Sequence, residues 1–210
     1  MTMKSKKSYF ITLEGVEGAG KSTVIGFIEK YLKEKDIDCI VTREPGGTEI
    51  AEAIRKVILS HYHERMCSYT ELLLYFASRA QHIAQVIKPA LDAGKWVISD
   101  RFTDASYAYQ GAGRKIPKEH IAVLENWIQK DLRPDLTLIL DIDPNQGLAR
   151  IKNSNTLDRI ESERIDFFRR VREYYLRQVR QYPKRYKVID ATQSQQQVEQ
   201  QLHEILAAII

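Results

Sequence analysis

The sequence predicts an α/β domain built on a five-stranded parallel sheet. Three observations lead there. Apolar, β-branched runs alternate with amphipathic stretches along the whole chain. Those runs are near-continuous rather than alternating, the pattern of strands covered on both faces. The 210 residues carry no internal repeat and no Gly/Ser/Pro linker, so a single domain over 1–210 is expected.

The elements follow in order. "YFITLE" (9–14) reads as the first strand and 21–35 as its helix. "CIVTRE" (39–44) is the second strand, followed by a helix over 48–60. The span 68–92 reads as one long helix, because Leu72, Phe76, Ala80, Ile83, Ile87 and Leu91 form one stripe. Gly94 ends it, as glycine does where a left-handed residue is needed. "WVISD" (96–100), "LTLILDI" (136–142) and "KVID" (187–190) complete the sheet. Helices are expected at 117–130 and 161–181, and a last one carries Val198, Leu202, Ile205 and Ile209 on one face. The polar, basic "RIKNSNTLDRIE" interrupts two helices and is expected to form a mobile flap at about 150–160.

Composition narrows the classes of function. Net charge is +4, with 29% charged and 43% hydrophobic residues, ordinary for a soluble globular protein. Beyond Lys4, Lys6 and Lys7 there is no basic block, and no groove-reading motif, so nucleic acid is not an expected partner. No apolar run approaches the ~20 residues of a membrane span, and no apolar segment follows the basic start. Cys39 and Cys67 lack metal-ligand spacing and read as reduced thiols, which points to the cytoplasm. His61 and His63 read as a solvated helix end rather than a metal pair.

The chemistry begins at "GVEGAGKS". Gly15, Val16, Glu17, Gly18, Ala19, Gly20, Lys21 and Ser22 match G-x-x-x-x-G-K-[ST], with Thr23 next in the helix. The match lies between a strand and a helix, its confirming context. Glycines let backbone N–H groups curl around an anion, and the helix N-terminus adds unpaired donors. Lys21 would bridge the outer phosphates of a nucleoside triphosphate, and Ser22 would offer its hydroxyl to Mg²⁺. No guanine-reading Asn-Lys-x-Asp occurs, which argues against a GTPase switch.

A small-molecule kinase needs an acceptor pocket, and four stretches are candidates. "TREPGG" places Arg43 at the carboxyl end of a strand, the ligand edge of such sheets. Tyr75 and Arg79 stand four apart, off the apolar stripe, and project together, able to stack on and bond a nucleobase. "WVISDRF" ends in Asp100, positioned for Mg²⁺, and Arg101, positioned for a phosphate. "DASYAYQGAGR" (104–114) can wall a nucleoside pocket.

Taken in order, these motifs resemble the thymidylate kinase family of bacteria. The shared pattern comprises Glu14–Lys21, Thr42–Gly47, Tyr75–Arg79, Asp100-Arg101, Ala108–Gly111, Arg133–Thr137 and Leu157–Glu161, covering roughly 9–192. The resemblance implies the three-layer P-loop nucleoside monophosphate kinase fold, transfer of the ATP γ-phosphoryl to dTMP with Mg²⁺, and a homodimer. It implies that Glu17 approaches the sugar 3′-hydroxyl and the Mg²⁺ shell, and that Arg43 and Arg101 hold the acceptor phosphate. Tyr75 would stack on thymine, Arg79 would bond its edge, and Ser106 and Gln110 would border it. Tyr109 would crowd the 2′ position, and Pro45 would be cis. Lys21, Arg101, Glu17 and a flap cation would act on the transferred group. Arg150 is the first choice for that cation, ahead of Lys152 and Arg159. Ser154 stands where relatives often have arginine. Rival readings are a deoxynucleoside kinase with Glu17 as base, a kinase for another monophosphate, and a nucleotide-binding regulator without phosphoryl transfer.

Overall fold

The computed structural model describes residues 8–152 and 157–210. Five strands are present: β1 (Phe10–Glu14), β2 (Cys39–Arg43), β3 (Trp96–Asp100), β4 (Leu136–Asp141) and β5 (Tyr186–Asp190). They form one sheet of order β2-β3-β1-β4-β5, every neighbouring pair parallel. The chain leaves β1 toward β2 and β3 and then crosses to β4 and β5. The loop after β1 therefore opens at the point where strand order reverses, the usual ligand position of open α/β sheets.

The helices are α1 (Lys21–Glu34), α2 (Glu49–Leu59), α3 (Ser68–His82), α4 (Lys88–Asp92), α5 (Thr103–Ser106), α6 (Lys118–Gln129), α7 (Pro144–Lys152), α8 (Ile165–Gln181) and α9 (Gln195–Ala207). Strand side chains alternate between the two helical layers. Ile11, Leu13 and Ile98 face Ile28, Leu32, Phe168, Val171 and Leu202, while Phe10 and Val97 face Ile83, Ile87 and Phe102. A third apolar group, Leu72, Phe76, Ile116 and Ile121, joins α3 to α6. Inside the central strand pair, Thr12 sits opposite Thr137 and their hydroxyls bond at 2.9 Å.

The expected 68–92 helix is not uniform. Ile83–Ile87 form a π turn between α3 and α4. Pro89 supplies the reason: it has no N–H, and its ring would collide with the carbonyl of Gln85 in a regular helix. Gly94 follows at φ 78°, as expected. The 104–114 stretch, expected as a pocket wall of unassigned conformation, is helical: α5 runs into a second π turn, Tyr107–Gly113. The helix expected from 161 begins at Ile165. The Asp158 carboxylate accepts the N–H groups of Ile160 and Glu161, each at 2.8 Å, and holds a turn there instead. The helix that the 150–161 stretch is expected to interrupt on its N-terminal side, with no start assigned from the sequence, is α7, and it begins at Pro144.

Two motifs of the family pattern prove to be architectural. Asp135 accepts the Phe10 N–H through its carboxylate and donates its own N–H to the Phe10 carbonyl, seating β4 against β1. Arg159 donates to the Ile58 carbonyl at 2.7 Å and ties Leu157–Glu161 to the end of α2. His61 Nε2 lies 3.1 Å from the Leu157 carbonyl, beyond the end of α2.

Candidate active site

The loop 15–20 is held open by backbone geometry. Gly15, Gly18 and Gly20 have φ of 143°, 71° and 90°, a region that side chains disfavour. A Cβ on Gly18 would lie 2.1 Å from the Gly147 carbonyl oxygen, so the loop rests directly on the backbone of α7. Thr48 caps α2 and Ser194 caps α9, but α1 starts at Gly20 with no side-chain cap and no acid in its first turn. Its first N–H groups and its positive dipole end are left for an anion. Lys21 is buried, with Nζ 3.4 and 3.3 Å from the Gly15 and Val16 carbonyl oxygens. Burial, and then Arg101, pull its pKa below the ordinary lysine value. Ser22 and Thr23 are exposed at the head of α1.

A cavity opens beside the loop. Its walls include Glu17, Tyr75, Arg79, Arg101, Tyr109 and Gln110, gathered from the loop, α3, the end of β3 and the second π turn. Arg101 adopts φ 68°. Its NH2 donates to Glu17 Oε1 at 2.9 Å and to the Tyr109 hydroxyl at 2.8 Å, and that hydroxyl lies 2.9 Å from both Glu17 oxygens. Burial opposes the Arg101 charge, but Tyr109, Glu17 and Asp100 outweigh it and hold the guanidinium firmly protonated. Arg79, expected with Tyr75 to project off the apolar stripe toward a nucleobase, lines the cavity with it and is itself almost fully buried. It donates to Glu44 at 2.7 Å, Ser106 at 3.1 Å and the Phe102 carbonyl at 3.1 Å. Among the described residues these bonds use three of its five N–H groups. Ser106 is reached through Arg79 and is itself buried.

The bend after β2 is locked from α3. Glu44 accepts from Arg79 Nε and lies 3.1 Å from His82 Nδ1; the other imidazole nitrogen meets the Thr42 hydroxyl at 2.6 Å. The Gly46 N–H donates to Ser78 Oγ, and the Glu44-Pro45 bond is cis, as expected. Arg43 does not join the cavity wall. It is exposed and forked onto Glu52, at 3.1 and 3.0 Å. Arg55 takes the place on the wall, bound to the Pro45 carbonyl at 2.8 Å. Burial, and then the neighbouring Arg43, pull its pKa below the ordinary arginine value, with Glu52 acting the other way.

The thymidylate kinase family model matches residues 13–202. The chain belongs to the thymidylate kinase family. It is 52% identical to the thymidylate kinase of Vesicomyosocius okutanii over 97% of this chain and 100% of that one. It is 51% identical to that of Pseudomonas putida over 96% of each. Among solved structures, thymidylate kinase from Ehrlichia chaffeensis superposes with a TM-score of 0.76 at 32% identity, covering 95% of this chain and 98% of the other. The P-loop kinase fold expected from the resemblance is the fold observed.

Within this family frame the sequence reading missed a second groove, on the far side of the loop. Ala19, Gly20, Thr23, Arg150, Ala191 and Gln193 line it. Arg150 spans it, donating to the Gly18 and Ala191 carbonyls at 3.3 Å each. The turn after β5 has a readable cue: Asp190 accepts the Thr192 N–H and hydroxyl, an Asp-x-Thr bend at a strand end. Of the other flap cations, Arg159 is committed to Glu71 at 2.6 Å. The Lys152 side chain and Ser154 lie outside the described residues. Among the described residues Asp100 Oδ1, at the end of β3, is buried without a hydrogen-bond partner. A bare carboxylate oxygen next to a phosphate cradle suits a divalent cation, so Asp100 and Ser22 fit Mg²⁺ as its holders.

Proposed function

We propose that this member of the thymidylate kinase family transfers the γ-phosphoryl group of ATP to dTMP, giving ADP and dTDP. One observation carries the reading: a base-sized wall of Tyr75, Arg79 and Gln110 shares a cavity with Arg55 and Arg101, and Glu17 links that cavity to the phosphate loop. Val16, Gly18, Ala19 and their neighbours cradle the ATP phosphates by their N–H groups, with Lys21 as a point charge. Arg150 and Thr23 border the groove for the rest of ATP. Ser22 and Asp100 hold Mg²⁺, which when bound neutralises charge on the phosphates. Arg101 and Arg55 grip the acceptor phosphate, while Arg43 stays paired with Glu52 outside the wall. Tyr75 stacks on the base, Ser106 fixes Arg79 against its edge, and Tyr109 crowds the sugar. A phosphate monoester has a second pKa of ~6, so the nucleophile is already largely a dianion and no general base is required.

The acceptor cations separate this from the deoxynucleoside kinase reading, in which Arg55 and Arg101 would meet no substrate phosphate. Tyr75→Leu should raise the KM for dTMP about tenfold or more, through loss of ~1–3 kcal/mol of stacking, and leave the KM for ATP unchanged. Steady-state assays across dTMP, dGMP and thymidine test the whole reading. A preference for thymidine or for the purine would overturn it.

The single domain of 1–210 works in the cytoplasm; residues 153–156, the middle of the flap expected at about 150–160, lie outside the described residues. Two unpaired cysteines fit a reducing compartment, and no described helix is long and apolar enough to cross a membrane. The working form is a homodimer. Ile50 and Val57 on α2, Tyr69 and Leu73 on α3, and Val123 and Trp127 on α6 are all exposed, on helices packed side by side. Such a patch is the kind a second copy covers. Trp127→Glu should shift sedimentation from dimer to monomer; a wild-type protein that sediments as a monomer ends the proposal.

A further inference from the structure

Glu71 is buried in α3, four residues before Tyr75 and eight before Arg79, on the same helical face. It does not line the acceptor cavity. Its carboxylate is fully engaged. Oε1 accepts from Gln110 Nε2 at 2.9 Å and Arg114 Nε at 3.0 Å. Oε2 accepts from Arg159 NH1 at 2.6 Å and Arg114 NH2 at 3.1 Å. Burial opposes its charge, but Arg114, Gln110 and Arg159 outweigh it, so the group stays ionised and can only accept.

An acceptor-only neighbour decides which way an amide points. Gln110 must turn Nε2 toward Glu71, which leaves Oε1 as the end of the amide available to the cavity it lines. Among the described residues that oxygen has no protein partner. The cavity thus offers an acceptor at Gln110 and donors at Arg79. A pyrimidine with N3–H beside a 4-carbonyl matches both. One with an unprotonated N3 beside a 4-amino group opposes both: acceptor meets acceptor, and donor meets donor.

We propose that Glu71 is a positioning residue that sets base specificity, by locking the Gln110 amide so that the cavity accepts 4-oxo pyrimidines and rejects 4-amino ones. This rests on the reading that places the base against Tyr75, Arg79 and Gln110. The probe pair is dTMP and 5-methyl-dCMP, which differ only along the edge at issue.

In Glu71→Gln the new amide can present either end, and Gln110 is free to flip. The ratio of kcat/KM for dTMP over 5-methyl-dCMP should narrow about tenfold or more, through KM for dTMP rather than kcat, as expected when a polar group built to pair is released. Gln110→Leu removes the acceptor, leaves Glu71 paired with both arginines, and should narrow the ratio equally. Arg114→Gln loosens the same cluster but leaves the Gln110 bond; it should lower the melting temperature without moving the ratio. An unchanged ratio in Glu71→Gln overturns the inference, as does an equal narrowing in Arg114→Gln. If Glu71→Gln does not fold, Gln110→Leu decides, and an unchanged ratio there overturns it. Failure of the Tyr75→Leu result removes the base-site reading and this inference together. Success of Tyr75→Leu with an unmoved ratio removes this inference alone.

Discussion

Arg101→Ala is expected to lower kcat for dTMP phosphorylation by roughly 10³-fold, the lower end of what one arginine contributes to phosphoryl transfer. The reaction brings two polyanions together, and Arg101 is the cation proposed to touch both sides. Its NH2 reaches Gly15 and Glu17 of the phosphate loop, and its guanidinium forms part of the acceptor wall. The cost to the fold is smaller. Arg101 makes one ion pair with Glu17, and Glu17 keeps the Tyr109 hydroxyl when the pair is lost. Losing such a pair costs a few kcal/mol at most. Single-turnover kinetics alongside urea unfolding separate the two effects. A variant that loses cooperative unfolding together with activity leaves no catalytic role to assign.

Gly147→Ala should be the second most damaging change, against what helix propensity says. Within α7, alanine is preferred over glycine by up to ~1 kcal/mol. Yet a Cβ at 147 would stand 2.3 Å from the Glu17 carbonyl oxygen, and a Cβ on the next residue of that loop, Gly18, would stand 2.1 Å from the Gly147 carbonyl oxygen. Neither neighbour is a flexible side-chain tip; both are backbone. Overpacking at such a point costs ~1–3 kcal/mol, which exceeds the propensity gain. The strain falls on the phosphate loop itself, so the KM for ATP should rise about tenfold, equivalent to ~1.4 kcal/mol. Thermal unfolding with and without ATP measures both parts. A variant more stable than the parent, with unchanged ATP affinity, would show that the contact carries no weight.

The inner strands β1, β3 and β4 were legible because parallel strands buried on both faces leave near-continuous apolar runs. The edge strands β2 and β5 carry similar runs yet are partly exposed, with Val41 and Val188 open to solvent, because each has a neighbour on one side only. The phosphate loop was legible because its function needs glycine, lysine and hydroxyl within one turn of chain. What stayed hidden depends on partners far away in sequence. Gly18 and Gly147, Glu44 and His82, and Glu71 and Gln110 meet only after folding, and no spacing announces them. Arg43 and Arg55 show the difference. Arg43 drew attention by its place at a strand end, yet Glu52 holds it outside the wall. Arg55 carried a quieter cue: it shares a face of α2 with the buried Ala51 and Ile58, and a cation on an apolar face asks for an explanation. The π turn at 83–87 was foreshadowed by Pro89, but a stripe of apolar residues reads the same through a regular helix and a widened one.

The hydroxyl pair at Thr12 and Thr137 has a consequence for how the chain finds its alignment. Sliding β4 past β1 by two residues is the smallest slip that keeps every side chain on its own layer. It would set Thr12 against Asp135 or Ile139 and strand Thr137, in the second case costing ~1–3 kcal/mol for each hydroxyl left dry and unmet. The two threonines thus act as a dowel between strands from opposite halves of the sheet, and the nucleotide cradle, which starts three residues beyond Thr12, inherits its height from that peg.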